Sequence, residues 1–259
     1  MERAGLAGQF GGALGGTILG GDIFAHAIGS LPEIAIARPI IEISEETRRR
    51  WEIAEEFALR WEGKALWYLL SPLSIDHHYR LAAMEEAVME EALLAALENV
   101  VTEESFATEL SSALDSVPFI TAEQREDLQH GLEHAAEGKF GRALPPLMLG
   151  LEGALWSTGR AKALIDSERR LVVGPKQGRE VGSIEQVIKV LPAEEGFSTF
   201  AIRRIFGGVG NPVRHGEATE VRRQHVLYLV VAIAGWLTDS MGLPARDVLG
   251  QMLRDALLD

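Results

Sequence analysis

Apolar and polar positions follow a helical period over most of the chain beyond residue 44. Ser44 precedes Glu45 and Glu46, an N-cap with acids in the first turn. Trp51, Ile53, Ala54, Phe57, Ala58 and Trp61 then recur at helical spacing. This stripe predicts a helix, and Trp51, Phe57, Trp61 and Trp67 read as core. Pro72 interrupts the pattern. Leu81, Met84, Val88, Ala92, Ala95 and Val100 predict one long helix over about 75–100, with Glu85, Glu86, Glu90 and Glu91 on a solvated face. Helices are expected near 103–116 and 121–137, the second opened by a capping box from Thr121 to Gln124. Pro145 and Pro146 suit the start of a helix, or a kink in one, that runs from about 143 to 164. Residues 171–182 read as a loop with a short strand at Leu171–Val173. Ser183 to Gln186 repeats the capping-box pattern. Helices over 195–206, 218–241 and 244–257 complete the chain. The apolar run Val226–Leu237 suits a buried core helix and is too short to cross a bilayer.

The first forty-odd residues differ. Glycines at 8, 12, 16 and 20, with a second pair at 11 and 15, give a small-xxx-small spacing, and residues 4–21 carry no charge. Eight glycines between 5 and 21 weigh against a stable helix, so the stretch reads as a flexible or loosely packed arm rather than a membrane insertion. Residues 33–43 are β-branched and partly alternating. They predict an extended segment or edge strand, because Pro39 bars a central strand. The chain thus divides into three regions: a glycine-rich arm with an extended segment at 1–43, an acidic helical region at 44–139, and a helical bundle at 140–259. The expected class is all-α.

Charge and composition narrow the function. The chain has no cysteine and no leucine-rich stretch after Met1-Glu2-Arg3, which fits a cytoplasmic protein without thiolate chemistry. A net charge of −13 argues against simple electrostatic capture of nucleic acid. The charge is uneven, however. Residues 160–259 hold 14 Lys and Arg against 12 Asp and Glu, and Arg203, Arg204, Arg214, Arg222 and Arg223 cluster within 203–223.

That basic stretch contains the candidate chemistry. Phe206-Gly207-Gly208-Val209-Gly210-Asn211-Pro212-Val213-Arg214-His215-Gly216 precedes a long apolar helix. His exchanges protons near neutral pH, and Arg binds phosphate in two-pronged fashion. Together they suit phosphodiester cleavage, with His215 as general acid or base and Arg214 holding the developing negative charge. The glycines let a ligand backbone approach, and the neighbouring helix N-terminus favours an anion. Arg222, seven residues after His215, shares its face if the helix has begun. A structural alternative stands beside this: Asn211-Pro212 as a turn, Arg214 in a surface ion pair and His215 as a helix cap.

The glycine loop, Asn211-Pro212-Val213-Arg214-His215-Gly216, the acidic Glu217 and the apolar helix after it resemble the C-terminal motif region of HEPN-like proteins. These are helical-bundle domains of ribonucleases, toxins and abortive-infection proteins of phage defence. Leu151-Glu152-Gly153-Ala154-Leu155 also looks like the Glu-Gly helix of abortive-infection members, and Gly196-Phe197 comes next in the expected order. The resemblance covers about 140–240. It implies a four-helix up-and-down bundle that forms a homodimer and cleaves RNA without metal or cofactor, in toxin–antitoxin or defence systems, with a possible regulatory partner protein. His215 matches the family's catalytic His and Asn211 the polar residue of its Arg-x(4–6)-His motif. The family's Arg falls at Gly210, a departure for which Arg214 or Arg204 could substitute in space. Glu152 could pair with Arg214 or orient His215. Asn211, Arg204 and Arg222 are then RNA- or phosphate-binding candidates. A non-catalytic module that binds a nucleotide, RNA or a partner protein is the alternative.

Other constellations are weaker. His130 and His134 sit one turn apart with Asp127 a turn earlier, but a third strong ligand is missing, and a solvated face explains them. Asp76-His77-His78-Tyr79-Arg80 reads either as a polar cluster facing a cleft or as helix capping. The sequence contains no P-loop, dinucleotide fingerprint, His-Glu-x-x-His or nucleophile elbow.

Overall fold

Ser44 caps the first helix as its sequence suggests: its Oγ accepts a 3.1 Å hydrogen bond from Thr47 N–H. The computed structural model describes residues 44–173, 176–193, 196–210 and 222–257. The glycine-rich arm and the extended segment expected at 33–43 lie outside the described residues. The described chain is all-α. Its elements are α1 (Glu45–Trp61), α2 (Trp67–Leu70), α3 (Ile75–Ala82), α4 (Glu86–Val101), α5 (Glu104–Asp115), α6 (Ala122–Ala136), α7 (Phe140–Ala161), α8 (Ile184–Ile188), α9 (Phe197–Phe200), a π-helix (Ala201–Gly210), α10 (Arg222–Met241) and α11 (Ala245–Ala256). Among the described residues there is no strand. Leu171–Val173 forms none; Ile165 and Leu171, and Arg170 and Glu180, make isolated antiparallel bridges only.

The central element is α10. Every residue from Val226 to Leu237 except Gly235 is a buried core residue at 2% exposure or less, which is why a run without polar interruption can be tolerated there. It packs on α7, α11, α4 and the π-helix. One buried polar link crosses the contact with α7: Trp236 Nε1–H donates to Thr158 Oγ1 at 2.9 Å, and that hydroxyl donates to Ala154 O at 2.8 Å. Helices α6 and α7 approach closely by exchanging small for large. A Cβ on Gly131 would stand 2.5 Å from Leu147 Cγ, and one on Gly150 would stand 2.7 Å from Leu128 Cγ. Each glycine makes room for the other helix's leucine. The core runs without a break from the helices of 44–139 into those beyond 140.

Three local expectations change. The predicted helix over 75–100 is two helices. Backbone N–H groups of Ala83 and Met84 bond back three residues, to Arg80 O and Leu81 O, and Glu85 turns extended as the N-cap of α4. The break lets α3 bury His77, His78 and Leu81, while α4 buries Met89, Leu93, Leu97 and Val100. The face predicted for an unbroken helix is out of register, and Met84 and Val88 are exposed. Trp51 is also exposed, whereas Phe57 and Trp61 are core. Finally, Ser183 caps nothing with its side chain. Gln186 Oε1 instead accepts from Gly182 N–H at 3.0 Å, so half of the expected box is displaced by one residue. The capping box at Thr121 and Gln124 is complete.

Candidate functional site

The segment that carries the candidate chemistry is entered from the π-helix. Its wide i to i+5 turns are rare and recur at functional sites. Asn211, Arg214 and His215 lie outside the described residues. Gly210 ends the π-helix, and Arg222 is the first residue of α10. The two stems on either side of 211–221 are described, and both are held by carboxylates of α4.

On the first stem, Arg204 Nη1 donates to Glu90 Oε1 at 3.1 Å, and its guanidinium carbon lies 5.9 Å from the centre of the Tyr228 ring. On the second, Gln224 Nε2 donates to the same Oε1 at 2.9 Å and the Tyr228 hydroxyl donates to it at 2.6 Å. Arg223 spans two more carboxylates, with Nε 2.5 Å from Glu98 Oε2 and Nη1 3.0 Å from Glu91 Oε1. The side chain of Glu90 is only 20% exposed, so this carboxylate is not part of the solvated face expected for it. Its negative charge is answered by Arg204 and by two neutral donors, which is what makes its partial burial tolerable. Burial, and then the bond to Glu90, push the Tyr228 phenol above its ordinary pKa. One nitrogen of the Arg204 guanidinium, a candidate for phosphate, is thus engaged by Glu90, while the side chain stays partly exposed.

Glu152 lies elsewhere, on α7, in a cleft of about 370 Å³. Gly153 and Trp156 of α7, Arg169, Ser183, Glu185 and Phe206 complete most of its wall. Phe206 belongs to the π-helix, four residues before Gly210. Arg169 lays its guanidinium over Trp156, 5.1 Å from the ring centre. Ser157, next to Trp156, donates to Gln124 Oε1 at 3.1 Å and so ties this part of α7 to the start of α6. Of the candidates named from sequence, the described structure therefore sets Glu152 and Arg204 at different places. Glu90, Trp156, Arg169 and Tyr228 emerge as site residues that sequence reasoning did not single out. The only sequence trace of the Glu90 cluster is the four-residue spacing of Gln224 and Tyr228, which puts both on one face of α10.

The remaining titratable candidates are structural. His77 and His78 do not face a cleft. They are buried at 4% and 2% exposure. His77 Nε2–H donates to Arg254 O at 2.9 Å, and Ser74 Oγ lies 2.6 Å from Nδ1. His78 Nε2–H donates to Leu70 O at 2.8 Å, between the rings of Phe57 and Trp67, and burial lowers its pKa. His130 is exposed, and His134 lies 3.4 Å from Glu137. Among the described residues, no three His, Asp or Glu side chains are arranged to hold a metal ion. No described helix is long and apolar enough to cross a membrane. Compared with protein-family models, with curated proteins and with solved structures, the chain matches none.

Proposed function

We propose that this chain is a HEPN-like protein that acts on RNA, with His215 moving protons at the scissile phosphodiester and Arg214 binding the phosphate. The observation that carries this reading is the cleft walled by Glu152, Trp156, Arg169 and Phe206. An aromatic ring and a guanidinium together suit a splayed-out RNA base. Phe206 in its wall belongs to the helix that runs on toward Asn211–His215. The grip of Glu90, Glu91 and Glu98 on both stems of that segment is the second support. In this reading the 2′-hydroxyl attacks phosphorus, the 5′ oxygen leaves, and the imidazole handles the protons, so no metal is required. The homodimer, the cytoplasmic location and the role in phage defence or toxin–antitoxin biology belong to the same proposal.

A second reading is a module of the same ancestry that binds RNA, a nucleotide or a partner protein without cutting. Two observations favour it: Gly210 stands where the family has Arg, and Arg204 is occupied by Glu90. RNA incubated with the protein in a metal chelator separates the two. Cleavage by the wild type that disappears in His215→Ala supports the enzyme. Binding without cleavage in both proteins supports the module, and neither binding nor cleavage removes both.

A further inference from the structure

We propose that the groove between α5 and α11 is a docking site for a second copy of this chain, which inserts the Trp51 ring of its α1 and sets Arg48 against Glu109. The inference names a contact for the homodimer of the reading above and rests on that reading in this alone, because it makes no use of RNA. The groove holds about 130 Å³. An apolar cavity of about 150 Å³ takes a benzene ring, so this one has room for a single ring. Phe106, Leu110 and Ala113 share a face of α5 at i, i+4 and i+7, and Leu243 and Val248 close the other side. Among the described lining residues the one charge is Glu109, which is exposed. Nothing close in sequence neutralises it: residues 102–124 contain no Lys, Arg or His. Arg246, in the first turn of α11, is buried, and its guanidinium donates to Tyr68 O at 3.0 Å and Ser71 Oγ at 2.9 Å. The groove therefore selects an apolar ring that arrives with a cation beside it.

The chain itself exposes a group of that description. Trp51 is 43% exposed on α1. Arg48 lies one turn before it on the same face, with Arg49 beside it, and both arginines are exposed. Arg50 is already engaged, by Glu46 at 2.6 Å and by the Tyr79 ring. Two other large exposed apolar side chains, Leu59 and Val88, sit between glutamates of their own faces, Glu56 and Glu62 for the first, Glu85 and Glu91 for the second, and Glu109 repels these. Trp51 has Glu55 one turn later, so charge also fixes the direction of approach, with the Arg48 end over Glu109. Trp51 does not fill the groove of its own chain: no residue of α1 belongs to the described lining. A tryptophan seated in a pocket is the kind of side chain that carries most of an interface's energy. Each copy offers both halves, ring and groove, which is the self-complementarity that a two-fold pair needs. One ring in one groove buries less than a standard interface, so the association depends on concentration.

The test is sedimentation equilibrium of the full chain over a range of about 10 μM to 1 mM, where small interfaces associate. The mass is expected to rise with concentration toward twice that of one chain. Trp51→Ala, and Ala113→Phe, which fills the groove from its own wall, are each expected to weaken association by about tenfold or more. Mixing these two variants is expected to restore pairing, because one keeps the groove and the other keeps the ring; a variant that had merely failed to fold would not be rescued. Glu109→Arg is expected to weaken association by about threefold or more, and Arg48→Glu with Arg49→Glu in the same chain to recover it. None of these variants alters His215 or Arg214, so a failed cleavage assay and a failed docking site remain distinguishable. A wild type that stays monomeric throughout, association that survives both Trp51→Ala and Ala113→Phe, or a mixture of the two that does not pair would each overturn the assignment. So would a monomer stabilised against heat by phenethylamine, which would give the groove to a small aromatic ligand.

Discussion

The Tyr228 hydroxyl donates to Glu90 Oε1 across 2.6 Å, and the same oxygen receives Gln224 and Arg204. One carboxylate of α4 therefore answers donors from the π-helix and from α10, before and after the segment of the candidate chemistry. Removing it strands a buried phenol and a partly buried guanidinium. Glu90→Ala is expected to cost about 2–4 kcal/mol of stability, and Glu90→Gln, which keeps an acceptor but not the charge, about half of that. Urea unfolding checks this: the midpoint should fall with little change in slope.

Gly235 faces the hydroxyl of Tyr68 so closely that a methyl group there would overlap it. That hydroxyl is buried and has no hydrogen-bond partner, and burial drives its pKa up. Tyr68→Phe should therefore be neutral or stabilising, since it removes an unsatisfied group while the ring keeps its contacts with Phe197 and Phe200. Gly235→Ala should destabilise by about 1–3 kcal/mol through overpacking. Combined, the two should recover much of that loss. Additive effects in the double-mutant cycle would show that the hydroxyl is not what Gly235 avoids.

Asp239, on α10, has its pKa pushed up to about 6 by burial, partly opposed by Lys162. Its Oδ2 is buried without a partner. A carboxyl whose folded pKa lies above its unfolded value of 3.8 binds the proton more tightly when folded. Stability then falls as pH rises from about 4 to 6, and the penalty is complete above that window. Asp239→Asn removes the charge and should gain about 1 kcal/mol at pH 7.5, less than the full shift because water screens a half-exposed carboxyl, but little at pH 4. Denaturation midpoints of both proteins at the two pH values test it. An equal gain at both would assign the effect to something other than titration.

The hydrogen bond from Trp236 to Thr158 joins α10 to α7 in a fully buried place. Thr158→Val preserves shape but leaves the indole N–H without its acceptor. A loss of about 1–3 kcal/mol is expected, while Thr158→Ser, which restores the hydroxyl, should lose less. Thermal unfolding monitored through tryptophan fluorescence reads both.

Local chemistry made much of this fold visible in advance. Ser44 and Thr121 announce helix starts because a cap satisfies donors a few residues away, and the run Val226–Leu237 announces a core helix because nothing in it suits water. The break at Ala83–Glu85 was hidden: every residue there tolerates a helix, and only the different directions in which α3 and α4 must bury their side chains demand a turn. Glu90 was hidden for a related reason. Its partners lie 114, 134 and 138 residues away in sequence, and no local pattern distinguishes it from its exposed neighbours Glu86 and Glu91. Glu152 could be named because the motif around it is short and contiguous. Trp156 and Arg169 meet only because the turn at Asp166–Arg170 folds back on α7, a tertiary event with no periodic signature.

The wide turns over Ala201–Gly210 hold more residues per revolution than an α-helix, so this stretch can release one residue and tighten without coming apart. Each residue of an α-helix advances the chain by about 100° of rotation. Tightening would thus re-aim the exit at Gly210 while Ile205 and Phe206 stay anchored in the interior.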